Sequence, residues 1–354
     1  MGFMVSFTSP RVAEVISEPD PPLGSQEVRL RTLFTGISAG TELASYRGTN
    51  PYLSKQWNKE HKLFVDGTSS LSYPLDGVGY EEVGEVVEIG ADVTKVAVGD
   101  RIWGIWGHRT STVQTEEYAA ARILDRDADP RIGMFSHIGA VALNVVLDAD
   151  IHIGETVAVF GLGVPGQIAA QLARLNGARV IAVDGIEQRR QLAKDLGADF
   201  VLDPSDGDVA VKIRELTGGR GADVCLEISG NYRALHEAIR SVAYSSRVCA
   251  AGFLQGDGVA LRLGEEFHMN RVQVVSSQIS GPAPSLQHRW DRYRLNRTVI
   301  DLAVSGRLRL TELISHTIPL EEAARAFEML DGNPRDALQV VLSCDGSGDG
   351  AGER

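Results

Sequence analysis

The sequence predicts an α/β protein built around a doubly wound parallel sheet, and three observations predict it. Gly161-Leu162-Gly163-Val164-Pro165-Gly166 stands between an apolar β-branched run and a run with apolar residues at helical spacing. From about 139 to 280 strand-like and helix-like runs alternate, which calls for parallel strands joined by right-handed crossovers. The residues before that, to about 138, read instead as short strands, so a β-rich region precedes the sheet.

Within the β-rich region, Glu27-Val28-Arg29-Leu30-Arg31 alternates as a half-buried strand does. Val83 to Gly90 is a second strand with a glycine stop, and Val98-Gly99-Asp100-Arg101-Ile102-Trp103 is a turn leading into a third. The parallel sheet draws on 156–160, 179–183, 200–202, 223–227, 247–251 and 272–277, with helices such as Gln188 to Leu196 and Tyr232 to Val242 between them. A helix over Trp290 to Val304, another over Leu320 to Leu330 and a last strand over Gln339 to Leu342 follow. The expected domains are 1–138, 139–285 and a C-terminal segment, 286–344. The Asp-, Gly- and Ser-rich tail, 345–354, is expected to be disordered.

The glycine turn carries the most chemistry. Gly161 permits a tight turn out of the strand, Gly163 lets backbone approach a pyrophosphate, and Gly166 lets the helix pack close to the sheet. Val164 and Pro165 open the helix, whose N-terminus offers N–H groups and partial positive charge to phosphates. Asp184, at the end of the next strand, is placed to accept from both adenine-ribose hydroxyls and to repel a 2′-phosphate. NAD is therefore the expected cofactor, with Arg189 and Arg190 close enough to soften the preference. Ser229, Gly252 and Phe253 complete the candidate cofactor contacts. The competing reading is an α/β turn that binds no phosphate.

Composition narrows the partners. A net charge of −12 argues against nucleic acid or an anionic membrane. The three cysteines, Cys225, Cys249 and Cys344, form no metal-ligand spacing or disulfide framework, so a cytoplasmic setting is expected. No long apolar stretch follows the first four residues, and no signal peptide or membrane span is expected.

Several motifs together resemble the medium-chain dehydrogenase/reductase family over nearly the whole chain. They are Gly36-Ile37-Ser38-Ala39-Gly40-Thr41-Glu42, Gly79-Tyr80-Glu81 with Gly84-Glu85-Val86, Val98 to Ile102, the nucleotide turn, and Glu187 to Ala198. The resemblance implies a Rossmann domain inserted in a GroES-like β-barrel catalytic domain, with the C-terminal segment returning to the latter. It also implies a homodimer, paired through the apolar edge strand Val272 to Ser277.

Most alcohol dehydrogenases of that family hold a catalytic zinc with Cys-Gly-Thr/Ser-Asp, Gly-His-Glu and a third ligand before the Rossmann domain. Here Ala39 stands for the cysteine in strict register, or Ser38 if a residue has been inserted. Tyr80 replaces the histidine, and His137 aligns with the third ligand. The four-cysteine structural lobe is also missing, so no metal is expected. Proton transfer then falls to side chains, typically worth about 10²–10⁴-fold in rate.

The candidates for that work are Tyr80, His137, His108, Glu81 and Thr41. Each has a plainer alternative: cavity filler for Tyr80, a satisfied histidine supporting the site from behind for His137, strand-end surface histidine for His108, orienting group for Glu81, and an idle relay hydroxyl for Thr41. Ser38, Trp57, Trp103 and Trp106 are candidate substrate contacts, the tryptophans as stacking faces for a ring or as ordinary core. The stretch from Thr41 to Tyr80, long for the family and without clear structure, is a candidate binding loop or solvated insertion.

The Ser38 and glycine–tyrosine pattern is similar to a zinc-less branch that includes bacteriochlorophyllide dehydrogenases, and sugar and polyol oxidoreductases are equally near. The combined expectation is a zinc-independent, NAD-dependent oxidoreductase acting on a secondary alcohol or ketone, such as a sugar, polyol or cyclitol. A zinc-free quinone or enoyl reductase and a non-catalytic NAD(H) sensor are the alternatives.

Overall fold

A computed structural model of the chain describes residues 1–344. The tail expected to be disordered lies outside the described residues. The chain divides into two compact units, one made of Met1–His137 with the segment from Ile314 on, the other of Ile138–Leu313. The second is therefore inserted in the first.

The inserted unit is organised on six parallel strands, in the order Phe200–Leu202, Arg179–Val183, Thr156–Phe160, Ala222–Glu227, Val242–Ala250 and Gln273–Ser276. All six overlap runs read from the sequence; the central ones do so because strands covered on both faces become nearly continuous apolar runs, whereas Gln273–Ser276 is a mostly exposed edge. Val157, Ala158 and Val159 are fully buried. The helices Val164–Leu175, Glu187–Asp195, Val209–Leu216 and Tyr232–Ser241 supply crossovers.

The second domain boundary differs from the expected one. Residues 286–313 pack with the Rossmann unit, not with the β unit. Val299, on the helix Arg292–Val304, lies so close to Gly139 that a Cβ there would come 2.4 Å from Val299 Cγ1. Gln171 also grips the Arg309 backbone from both sides, donating to its carbonyl at 3.1 Å and accepting from its N–H at 2.9 Å. Neither contact leaves a local signal in the sequence.

In the β unit, the 11-residue strand Glu27–Ile37 is the hub. It pairs antiparallel with Glu82–Ile89 along its length, with Ser111–Thr115 on its first half and with Gln339–Ser343 on its second. Register shifts at Arg29/Leu30 and Thr32/Phe34 let one strand turn between partners. The Gln339–Ser343 pairing is the physical form of the chain's return. Phe7, Tyr46 and Phe327 form an aromatic knot in its core.

Two expectations change here. Residues 41–80 are not structureless: they hold the helix Thr41–Arg47 and a hairpin of Lys55–Asn58 and Leu63–Asp66. Trp57 packs edge-on against Phe64 of the same hairpin, with ring centroids 4.9 Å apart. Trp103 and Trp106 are 1% and 8% exposed and serve the core rather than a substrate. Trp106 packs with Val28, Leu30, Val86 and Ile102 while its indole donates to Thr32 Oγ1 at 3.0 Å.

The run Pro130–Asp148 is long and apolar enough to cross a membrane by length and composition, yet most of it is interior. Met134, Phe135, Ala140 and Ala142 are fully buried.

Candidate active site

In the Rossmann unit the glycine turn has the form that phosphate binding needs. Gly161 sits at φ +94°, and a Cβ there would strike Ser229 at 2.6 Å. A Cβ on Gly166 would come 1.9 Å from the Gly161 carbonyl oxygen, so only glycine allows this helix to start where it does. Above Gly163 the space is open, with Pro165 Cδ at 4.0 Å the nearest atom to an added Cβ. The helix beginning at Val164 and Pro165 has no side-chain cap, which leaves its first N–H groups for an anion.

Asp184 closes the turn: Oδ2 accepts from Leu162 N–H at 2.7 Å and Oδ1 from Ile186 N–H at 2.8 Å. Each oxygen keeps lone-pair capacity for a hydroxyl donor. Arg190 is committed to the Asp184 carbonyl and the Asp203 carboxylate, both at 2.7 Å. Arg189 is partly buried beside Asp184; burial lowers its pKa and the Asp184 charge opposes that.

In this unit one functional residue was not a sequence candidate. Glu227 ends the strand Ala222–Glu227 fully buried, with Oε1 accepting the Ser229 and Gly230 N–H groups at 2.8 and 3.0 Å and the Ser229 hydroxyl. Its Oε2 has no partner and lies 2.7 Å from where a Gly252 Cβ would be. Glu227 thus sets the positions of Ser229 and Gly252, whereas Phe253 is 43% exposed. A glutamate closing an apolar strand was the available signal.

In the β unit, Ser38, Tyr80 and His137 meet. Ser38 follows the hub strand, Tyr80 precedes Glu82–Ile89, and His137 lies in the first turn of Ser136–Asp148. The Tyr80 hydroxyl donates to Ser38 Oγ, and the Tyr80 and His137 rings stand edge to face with centroids 4.9 Å apart. Burial raises the Tyr80 pKa, and the Glu81 and Glu42 carboxylates raise it further, against the Ser38 and Thr41 hydroxyls. The phenol therefore stays protonated. Thr41, itself exposed, is brought to the phenol, and the cluster unites four of the predicted residues.

Behind Tyr80 lies a buried ionisable network. His108 is fully buried, with Nε2 2.7 Å from Glu42 Oε2 and Nδ1 2.6 Å from Thr35 Oγ1. Burial alone would lower its pKa, but the Glu42 and Glu82 carboxylates outweigh it and the net shift is upward. A protonated ring donates from both nitrogens, and Thr35 passes its own hydrogen to Glu82 Oε1 at 3.3 Å. Glu42 Oε1 in turn accepts the Ser38 N–H at 3.0 Å. His108 thus holds Ser38 through Glu42 and belongs to the scaffold of the site.

Burial pushes Glu82 up to about 7, although His108 and the Trp106 N–H pull it down. Glu81 is fully buried with neither oxygen hydrogen-bonded, and burial with the Glu42 and Glu82 charges pushes its pKa well above the ordinary carboxylate range. A Cβ on Gly36 would come 2.6 Å from Glu81 Oε2, so glycine makes room for that carboxyl.

The family description "Zinc-binding dehydrogenase" matches residues 164–293. The D-guloside 3-dehydrogenase of Shigella flexneri is 32% identical over 95% of this chain and 98% of its own. The chain belongs to the medium-chain dehydrogenase/reductase family. It is an alcohol-dehydrogenase-type oxidoreductase, with a Rossmann unit inserted in a GroES-like β unit. Among solved structures, the Bacillus subtilis 2R,3R-butanediol dehydrogenase superposes with TM-score 0.77 at 21% identity, covering 97% of this chain and 99% of its own. A zinc-binding dehydrogenase of Sinorhizobium meliloti bound to NADP superposes with TM-score 0.77 at 23% identity and the same coverage.

The zinc of the family's name is a separate question, because the matched residues, 164–293, include none of Ser38, Ala39, Tyr80 and His137. Those positions offer a hydroxyl or a methyl group, a protonated phenol and one imidazole. Zinc takes thiolate, imidazole or carboxylate, and this donor set does not fit it.

Proposed function

We propose that this enzyme is a zinc-independent, NAD-dependent dehydrogenase of a sugar, polyol or cyclitol, acting at a secondary alcohol or the corresponding ketone. The observation that carries the reading is that Tyr80 touches both Ser38 and His137, three positions that the family resemblance aligns with metal ligands. The nicotinamide, when bound, gives or takes the hydride; the chain has to manage the proton.

Tyr80, held protonated, donates a hydrogen bond, and a substrate oxygen can take the place Ser38 Oγ now has. In reduction the phenol passes its proton to the carbonyl oxygen as the alkoxide forms. Oxidation runs the same path in reverse: the phenol first gives its proton to His137, against the ring, and the phenolate oxygen then takes the alcohol proton as the carbonyl forms. Glu81 keeps its proton and shapes the dry floor beneath.

The substrate class rests on the 32% identical relative, named for oxidising a guloside at position 3. The preference for NAD rests on Asp184, against the NADP bound by the Sinorhizobium neighbour. Homodimer formation rests on the edge strand Gln273–Ser276, whose Val274 is 41% exposed.

A panel tests all of this: glycosides, polyols, L-threonine and butanediol with NAD or NADP, and quinones and enones with the reduced cofactors. Turnover of glycosides or polyols with NAD supports the proposal. Activity confined to quinones or enones with NADPH points to a reductase, and tight NADH binding without turnover points to a sensor.

A further inference from the structure

We infer that His236, Glu265 and Glu266 form a site for a divalent transition-metal ion in the Rossmann unit. A ring nitrogen of His236 and one carboxylate oxygen from each glutamate all lie within 4.8 Å of one another. Ligands held at about 2.0–2.2 Å from one ion stand at most about 4.4 Å apart, so these three side chains have to draw slightly together to close on it.

His236 is the second observation. It is 5% exposed, on the helix Tyr232–Ser241, and neither ring nitrogen has a hydrogen-bond partner. A neutral imidazole carries one donor and one acceptor, and a buried pair of orphans calls for an ion or a water. Glu266 Oε2 is a third orphan, also buried.

The backbone explains how adjacent glutamates reach one histidine. In a regular helix successive side chains point about 100° apart. The turn Leu263–Phe267 is irregular, with Glu265 at φ −97°, ψ −124°. That break turns both carboxylates toward His236.

Charge agrees. Arg240 pairs with Asp208, Glu237 and Glu266, and Arg262 pairs with Glu265. Four carboxylates thus share two guanidiniums. Arg214 comes close, but its guanidinium binds the carbonyls of Arg240 and Val242. A dication fits the deficit, and the two arginines orient the carboxylates as outer partners of metal ligands do. One imidazole with two carboxylates and no thiolate suits a borderline ion such as Zn²⁺, completed by water. The ion would pin the turn Leu263–Phe267 to the helix Tyr232–Ser241.

The test is calorimetric titration of Zn²⁺ into the chelator-stripped full chain carrying His137→Asn, which removes the one imidazole of the catalytic cluster. The expected result is one ion per chain and a higher melting temperature with Zn²⁺. Glu266→Gln, which keeps the side-chain volume, and His236→Gln should each weaken binding about tenfold or more while melting normally in chelator. No uptake at about 1 mM Zn²⁺, where even weak millimolar binding registers, or unchanged affinity in Glu266→Gln, overturns the site.

Discussion

The strand Thr156–Phe160 and the strand Glu82–Ile89 carry the two halves of this enzyme in opposite ways. The first is buried from end to end, with an apolar interior, and delivers its chemistry as backbone: a glycine turn and uncapped helix N–H groups. The second opens on Glu82, preceded by Glu81, and both carboxyl groups are fully buried. Its chemistry is buried polar side chains: the ionisable Glu42, Glu82 and His108, with the Thr35 hydroxyl bridging Glu82 and His108. A backbone site depends on shape and tolerates changes of charge. A side-chain site in a dry interior depends on every charge having its partner.

Breaking a partnership in the β unit should give the largest effect. Glu42→Ala leaves His108 buried without its carboxylate, and urea unfolding should show a loss of about 3–5 kcal/mol. A loss under about 1 kcal/mol, the scale of an exposed pair, would mean the pair is not desolvated. The steric counterpart is Gly166→Ala, whose Cβ would strike the Gly161 carbonyl at 1.9 Å. We expect about 3 kcal/mol lost and dinucleotide binding weakened with it. Wild-type affinity in that variant would show that the turn is not the phosphate site.

Tyr80→Phe removes one hydroxyl and leaves the ring packing. It should lower kcat by roughly 10²-fold, with NADH affinity near wild type in a fluorescence titration. Asp184→Ala should cost about 1.5–3 kcal/mol of NAD binding and relax discrimination against NADP. A wild-type preference for NADP would contradict the role given to Asp184.

The smallest effect is a slope. Burial raises the Glu81 pKa in the folded state, so its protonated form favours folding. That stabilisation is present below about 4.3, the unfolded value, and is lost as pH rises through the folded one. His108, also raised, loses its contribution as pH climbs past its ordinary 6.5. Glu81→Gln, which cannot ionise, should gain melting temperature relative to wild type as pH rises from 5 to 8. A constant difference across that range would show that the folded-state pKa of Glu81 is not raised.

The same contrast explains what could be read before folding. Gly161, Gly163, Gly166 and Asp184 are near one another in sequence, and their neighbours announce strand, turn and helix. The six parallel strands were legible for the same reason. Tyr80 and His137 became candidates through the family's metal positions, and the structure brings their rings together. Thr35, Glu42 and Glu82 were missed as a network because nothing local marks a threonine in an apolar strand as the bridge to residue 108. Trp103 and Trp106 were misplaced because an aromatic that lines a pocket and one that fills a core look alike in sequence. The boundary at 286 failed because the tie between Gln171 and Arg309 spans 138 positions.

The central claim is that side chains at Ser38, Tyr80 and His137 have taken over the work of a metal. Steady-state turnover after exhaustive chelation tests it most directly, at a temperature well below the melting point of the chelated protein. The account predicts kcat unchanged from the untreated enzyme and unchanged again when Zn²⁺ is restored. Loss of turnover on chelation, recovered with Zn²⁺, would contradict it.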